Sequence, residues 1–110
     1  MKREAARKIL AMYSLFVILV SILPIKEPHI KEFTFDKIIH FFIYFIMTYF
    51  CILSFSSSRY LMSFLYALFL GIFIEIVQYF LPYRSFDFKD IIANSLGSIV
   101  GIFLFWKLER

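Results

Sequence analysis

Cysteine is almost absent from this chain. Cys51 is the only one, so no disulfide can form within it, and the residue says nothing about redox compartment. Proline is confined to Pro24, Pro28 and Pro82, all outside or at the edge of apolar blocks, where the missing amide donor interrupts a helix. Charge is scarce where a soluble helix would need it: residues 41–55 carry none, and residues 60–81 carry only Glu75. A helix of a water-soluble bundle shows a polar face that recurs every three to four residues, so a soluble bundle is excluded. No small-x-small cleavage site follows the first apolar run, which ends Ser21-Ile22-Leu23-Pro24-Ile25, and a retained anchor is expected rather than a signal peptide. The chain also lacks low-complexity tracts, internal repeats and any basic stripe. Its 12 Lys and Arg punctuate the ends of apolar blocks, which leaves no footprint for nucleic acid.

What the chain has is apolar bulk. Of 110 residues, 62% are hydrophobic, where soluble domains run at about 45–50%, and the mean hydropathy is +0.82. A spanning helix needs roughly 20 apolar residues. Four blocks meet or approach that length, which predicts an all-α fold: a polytopic four-helix transmembrane bundle, one domain over residues 1–110, with helices at about 6–23, 38–55, 60–81 and 91–106. Such helices use most of the chain and leave no room in it for a water-soluble catalytic domain. The first block is short, and its basic flank is expected to snorkel to the headgroups. The 16 Phe read as lipid-facing and packing bulk.

Four crossings place the N-terminus, the turn at Ser56-Ser57-Ser58-Arg59 and the C-terminus on one side. That side carries Lys2, Arg3, Arg7, Lys8, Arg59, Lys107 and Arg110, against Lys26, Lys31, Lys37, Arg84 and Lys89 on the other. Basic residues favour the cytoplasmic side, so both termini are expected to be cytoplasmic.

The polar residues within the blocks gather on the other side. Asp36 and His40 stand four apart at the start of the second block, with Tyr44 one turn further; residues at this spacing share a helix face. Glu75 and Gln78 lie near the end of the third block. Asp87, Asp90 and Asn94 lie at the start of the fourth, and Arg84 in the loop before it. Counting helical rise from the block ends puts Glu75 ~9 Å inside, and His40 and Asn94 ~6 Å inside. One slab near the outer leaflet is thus expected to hold carboxylates, an imidazole, a guanidinium and amides, while the inner half is nearly pure hydrocarbon.

Plainer readings exist for several of these. Asp36 and Asp90 could cap helices, because a carboxylate accepts the free amides of a first turn. Gly97-Ser98-Ile99-Val100-Gly101 is a GxxxG that lets helices approach closely. Tyr44 reads as core, and His40 as an interhelical hydrogen-bonding residue. Glu75 has no such reading, because an ionisable side chain at membrane depth costs ~2.5–3.5 kcal/mol even on the lenient scale and is a functional candidate by default. Burial favours its neutral form and a neighbouring cation its charged form; the sequence leaves the two open.

The run Asp36-Lys37-Ile38-Ile39-His40-Phe41-Phe42-Ile43-Tyr44 resembles the D-K-x-x-H-x-x-x-Y signature of the VanZ-like family. Glu75 through Arg84 is similar to its E-x-x-Q…R element, and Asp87, Asp90, Asn94, Gly97 and Gly101 to its D-x-x-D-x-x-x-N-x-x-G-x-x-x-G ending. The likeness covers about residues 9–106. It implies a multi-spanning protein of the bacterial cytoplasmic membrane, from a family whose namesake lowers susceptibility to teicoplanin, an acylated glycopeptide.

Three kinds of function fit these residues. In the first, the slab binds or modifies an envelope lipid or lipid-linked molecule: Arg84 contacts a phosphate or carboxylate, Glu75 and His40 form a general acid/base pair oriented by Asp36 or Asp90, and Gln78, Asn94, Tyr44 and Asp87 line the site. In the second, the network is non-catalytic and alters the access of acyl-bearing molecules to the surface. In the third, Asp36, His40, Glu75 and Asp90 hold a divalent metal such as zinc or manganese, although one His and no Cys suit zinc poorly. No cofactor is otherwise expected. Alternating-access transport is disfavoured in four short helices, and a homodimer is conceivable through Gly97 and Gly101.

Overall fold

The computed structural model describes residues 2–23, 33–82 and 88–109, and of residues 33–36 the backbone only. Four helices account for nearly all of them: α1 (Arg3–Ile22), α2 (Phe33–Ser54), α3 (Arg59–Tyr79) and α4 (Phe88–Glu109). All four are long and apolar enough to cross a membrane. At 1.5 Å per residue, the 22 residues of α2 or α4 reach ~33 Å, the thickness of a hydrocarbon core.

The helix ends differ from the sequence reading. α2 and α4 begin at Phe33 and Phe88 rather than near residues 38 and 91. The charged residues taken as loop are helical, and acids in a first turn are stabilised by the partial positive charge of a helix start. Asp36 is therefore the fourth residue of α2 and Asp90 the third of α4, and neither is an N-cap. α3 stops at Tyr79 instead of 81: the amides of Phe80 and Leu81 turn back to the carbonyls of Val77 and Gln78, at 3.1 and 3.2 Å, just ahead of Pro82.

Side-chain contacts at the helix ends fix the up-down arrangement. At one face of the bundle, Arg7 Nε donates to the Ser54 carbonyl (3.0 Å), and Arg59 and Tyr60 donate to Glu109 (2.7 and 3.0 Å). At the opposite face Lys37 pairs with Asp90, and Gln78 Nε2 donates to the Ser21 carbonyl (3.0 Å). The short turn at residues 55–58 joins α2 to α3 at the first face. Its Ser58 sits at φ 51°, in the left-handed region that a side chain disfavours.

The bundle is apolar outside and small or polar inside. Phe16, Phe69, Phe73, Phe103 and Ile99 are exposed, which suits a lipid-facing surface. Buried positions include Ala67, Ala93, Ser14, Thr48, Ser63 and Ser98, the residue types that let membrane helices approach and hydrogen-bond to one another. Leu10, Tyr44, Met47, Cys51 and Ala67 form the apolar core.

The expected hydrocarbon interior of the basic half is thus corrected, because it contains buried hydroxyls. Thr48 Oγ1 donates toward the Tyr44 carbonyl (2.8 Å) or Ser98 Oγ (3.0 Å), and Ser14 and Tyr66 share a 2.5 Å hydrogen bond between α1 and α3.

The closest helix approach is α2 on α4. A Cβ built on Gly97 would lie 2.2 Å from the Phe41 carbonyl oxygen, so only glycine fits. One on Gly101 would lie 3.4 Å from the Phe45 carbonyl and from Thr48. The GxxxG seam faces α2 of the same chain.

Candidate functional site

The α2–α4 crossing delivers one polar residue after another to the same depth. His40 precedes Phe41 and Asn94 is three residues before Gly97, so the tight Phe41–Gly97 contact sets how close their side chains come. His40 Nδ1 lies 3.2 Å from Asn94 Oδ1, and His40 Nε2 lies 3.7 Å from Asp90 Oδ1. Both ring nitrogens thus face oxygen atoms of α4. The same Asp90 oxygen takes the Lys37 ammonium. Lys37 and His40 are three residues apart, and Asp90 and Asn94 four, so each pair shares one face of its helix.

α3 closes the site from the side. Gly71 provides the room: a Cβ there would meet Asn94 Nδ2 at 3.1 Å and the Tyr44 hydroxyl at 3.7 Å. Glu75, one turn later, is 1% exposed, and Tyr44 is 2% exposed. Gly71 and Glu75 stand four residues apart on one face of α3, the face that Gly71 turns toward Asn94 and Tyr44, which ties Glu75 to the rest. Gln78, another turn on, is used differently, holding the end of α1 through Ser21.

Counted from the observed helix ends, Glu75 is ~6 Å inside, His40 ~10 Å and Asn94 ~9 Å. The order of depth is the reverse of the sequence reading, because α2 and α4 start earlier and α3 stops sooner. Among the sequence candidates, His40, Asp90, Asn94, Tyr44 and Glu75 come together, and Gln78 joins the same end of the bundle. Arg84 and Asp87 lie outside the described residues, as does the side chain of Asp36.

Two contributors escaped the sequence reading. Lys37 entered the sequence reading as a topological charge and as a member of the D-K-x-x-H run but not as a site residue, although its three-residue spacing from His40 was visible. Gly71 gave no signal, since an isolated glycine in an apolar block reads as neutral.

Among the described residues, no three His, Cys, Asp or Glu side chains are grouped so as to hold a metal ion, so His40, Glu75 and Asp90 do not make a ligand set. Two concave spaces among the described residues lie away from these side chains: a cleft of about 450 Å³ along α3 and one of about 120 Å³ between α1 and α2.

The VanZ/LLP1 family model matches residues 3–109. The chain belongs to the VanZ/LLP1 family. An uncharacterized protein of Schizosaccharomyces pombe is 35% identical to it over 102 residues, which cover 89% of this chain and 62% of that protein. This VanZ/LLP1 chain therefore spans less than two thirds of that relative's length, and the relative's source extends the likeness to a eukaryote. No solved structure matches.

Proposed function

We propose that this protein is a multi-pass membrane protein of the bacterial cell envelope that binds or modifies an envelope lipid or lipid-linked molecule at the His40–Asp90–Asn94 cluster. The single observation that carries the reading is a buried carboxylate and an imidazole brought within reach of each other inside a hydrocarbon-facing bundle. Charged groups are costly there and are retained where they act.

In the catalytic form of the reading, His40 moves a proton, Asp90 and Asn94 orient its ring, and Glu75 is the second proton-carrying group, reached through Tyr44. Arg84, Asp87 and Asp36 keep the roles their residue types and positions in the sequence suggest, with Arg84 as the anion contact. The excess of Lys and Arg at the α1 end supports cytoplasmic termini and an outer-leaflet site. Lowered teicoplanin susceptibility would be a consequence of altered envelope lipids, and expression in a susceptible host measures it directly.

The test is turnover of candidate envelope lipids by purified protein. Glu75→Gln and His40→Ala abolish it while folding and yield stay normal; undiminished turnover in Glu75→Gln ends the catalytic reading. The non-catalytic alternative also has an observation behind it. The Lys37–Asp90 pair and the Gln78–Ser21 bond join helices, as a structural network does. In that case the variants lower stability and no turnover exists to lose.

A further inference from the structure

We propose that the basic face of the bundle carries a binding site for one anionic phospholipid, separate from the polar cluster. Its acyl chain lies in the cleft along α3, and its headgroup lies beside Arg7.

The cleft of about 450 Å³ is lined by Phe55, Met62, Leu65, Tyr66, Phe69 and Leu70. Met62, Leu65, Tyr66 and Phe69 follow the three-and-four spacing of a single helix face, so the cleft runs parallel to α3 and along the membrane normal. From Arg59 to Phe69 the helix rises ~15 Å, half of a ~30 Å hydrocarbon core and therefore the depth of one leaflet. Both ends of the cleft are held. At depth, the Tyr66 hydroxyl is fastened to Ser14. At the membrane surface, the Ser54 carbonyl, beside Phe55, is fastened to the Arg7 guanidinium. A concave apolar wall of this length, open to lipid, is filled by a hydrocarbon chain, since a void forfeits the contacts of its lining.

Charge decides the headgroup. The described residues at this end include Lys2, Arg3, Arg7, Lys8, Arg59 and Lys107 against Glu4 and Glu109. Basic clusters at a membrane surface attract anionic lipids at about 1 kcal/mol per Lys or Arg. Arg7 is held at the mouth by its Nε bond, which leaves its terminal nitrogens directed by a fixed guanidinium plane, a geometry suited to phosphate.

The test uses the full chain reconstituted in nanodiscs of equal parts phosphatidylglycerol and phosphatidylcholine, then released for native mass spectrometry. The wild-type protein retains one phosphatidylglycerol in preference to phosphatidylcholine by several-fold. Leu65→Trp, which fills the cleft, loses that lipid, whereas Leu61→Trp, on an exposed position of the same helix, keeps it. Phe69→Ala, which removes a wall without adding bulk, also weakens retention and covers the case in which Leu65→Trp fails to fold. Arg7→Gln keeps a bound lipid but loses the preference for phosphatidylglycerol. Equal retention in Leu65→Trp and Leu61→Trp, or no preference in the wild type, overturns the site. Neither result touches the polar cluster at the opposite face.

Discussion

Gly97 is where one methyl group tests the architecture. A Cβ there would stand 2.2 Å from the Phe41 carbonyl oxygen, and 3.0 Å is the shortest approach real Cβ atoms make, so the helices must part by at least 0.8 Å. The obstructing atom is helix backbone and cannot rotate away. Overpacking of this kind costs about 1–3 kcal/mol, and a backbone clash belongs at the upper end. Against it stands the helix preference of Ala over Gly, about 1 kcal/mol, so Gly97→Ala should lose about 2 kcal/mol net. Gly101→Ala is the internal control. Its Cβ would sit 3.4 Å from its nearest neighbours, an ordinary contact, so the propensity gain survives and the variant is neutral or slightly stabilised. Thermal unfolding in detergent, followed by circular dichroism, compares the two. Parting α2 from α4 also pulls His40 from Asn94, so Gly97→Ala should weaken any lipid turnover or binding at the polar cluster. If Gly97→Ala proves as stable as Gly101→Ala, the proposed α2–α4 crossing is wrong.

Lys37→Met removes the cation from a buried carboxylate and should destabilise the protein by about 2 kcal/mol, below the 3–5 of a fully buried pair because both side chains keep some exposure. Lys37→Met combined with Asp90→Asn should recover most of that loss in the same unfolding assay, as a paired contact requires. Arg59→Gln breaks a pair whose side chains are 36% and 41% exposed, so its cost should stay below about 1 kcal/mol and shrink further at high salt. Ser58→Gly relieves a left-handed backbone position and should stabilise by about 1 kcal/mol, read as a higher unfolding temperature.

The spans were legible because apolar block length and the missing charged face are one-dimensional signals. Helix starts were less so. Asp36, Lys37, Lys89 and Asp90 look like loop residues, and only the tertiary pairing of Lys37 with Asp90 shows why α2 and α4 continue outward past the apolar blocks. The convergence of His40, Asp90, Asn94 and Glu75 followed from alternation of crossings, which fixes depth. Rotation about each helix axis is not fixed by that argument. This is why Lys37 and Gly71 went unassigned and why Ser14, Thr48, Ser63 and Ser98 passed as neutral members of apolar runs. GxxxG announced a close approach, but not that α2 would be its partner.

The central claim is that α2 and α4 bring their polar first turns together at one face of the membrane. Cysteine pairing measures it most directly: Lys37→Cys and Asp90→Cys in a Cys51→Ser background, in native membranes. The account predicts crosslinking of the pair by a short bifunctional thiol reagent that spans the length of the replaced lysine side chain and, in the single variants, labelling of both positions by an impermeant maleimide from the same side. Labelling from opposite sides, or no crosslink under conditions that join a positive control, would contradict it.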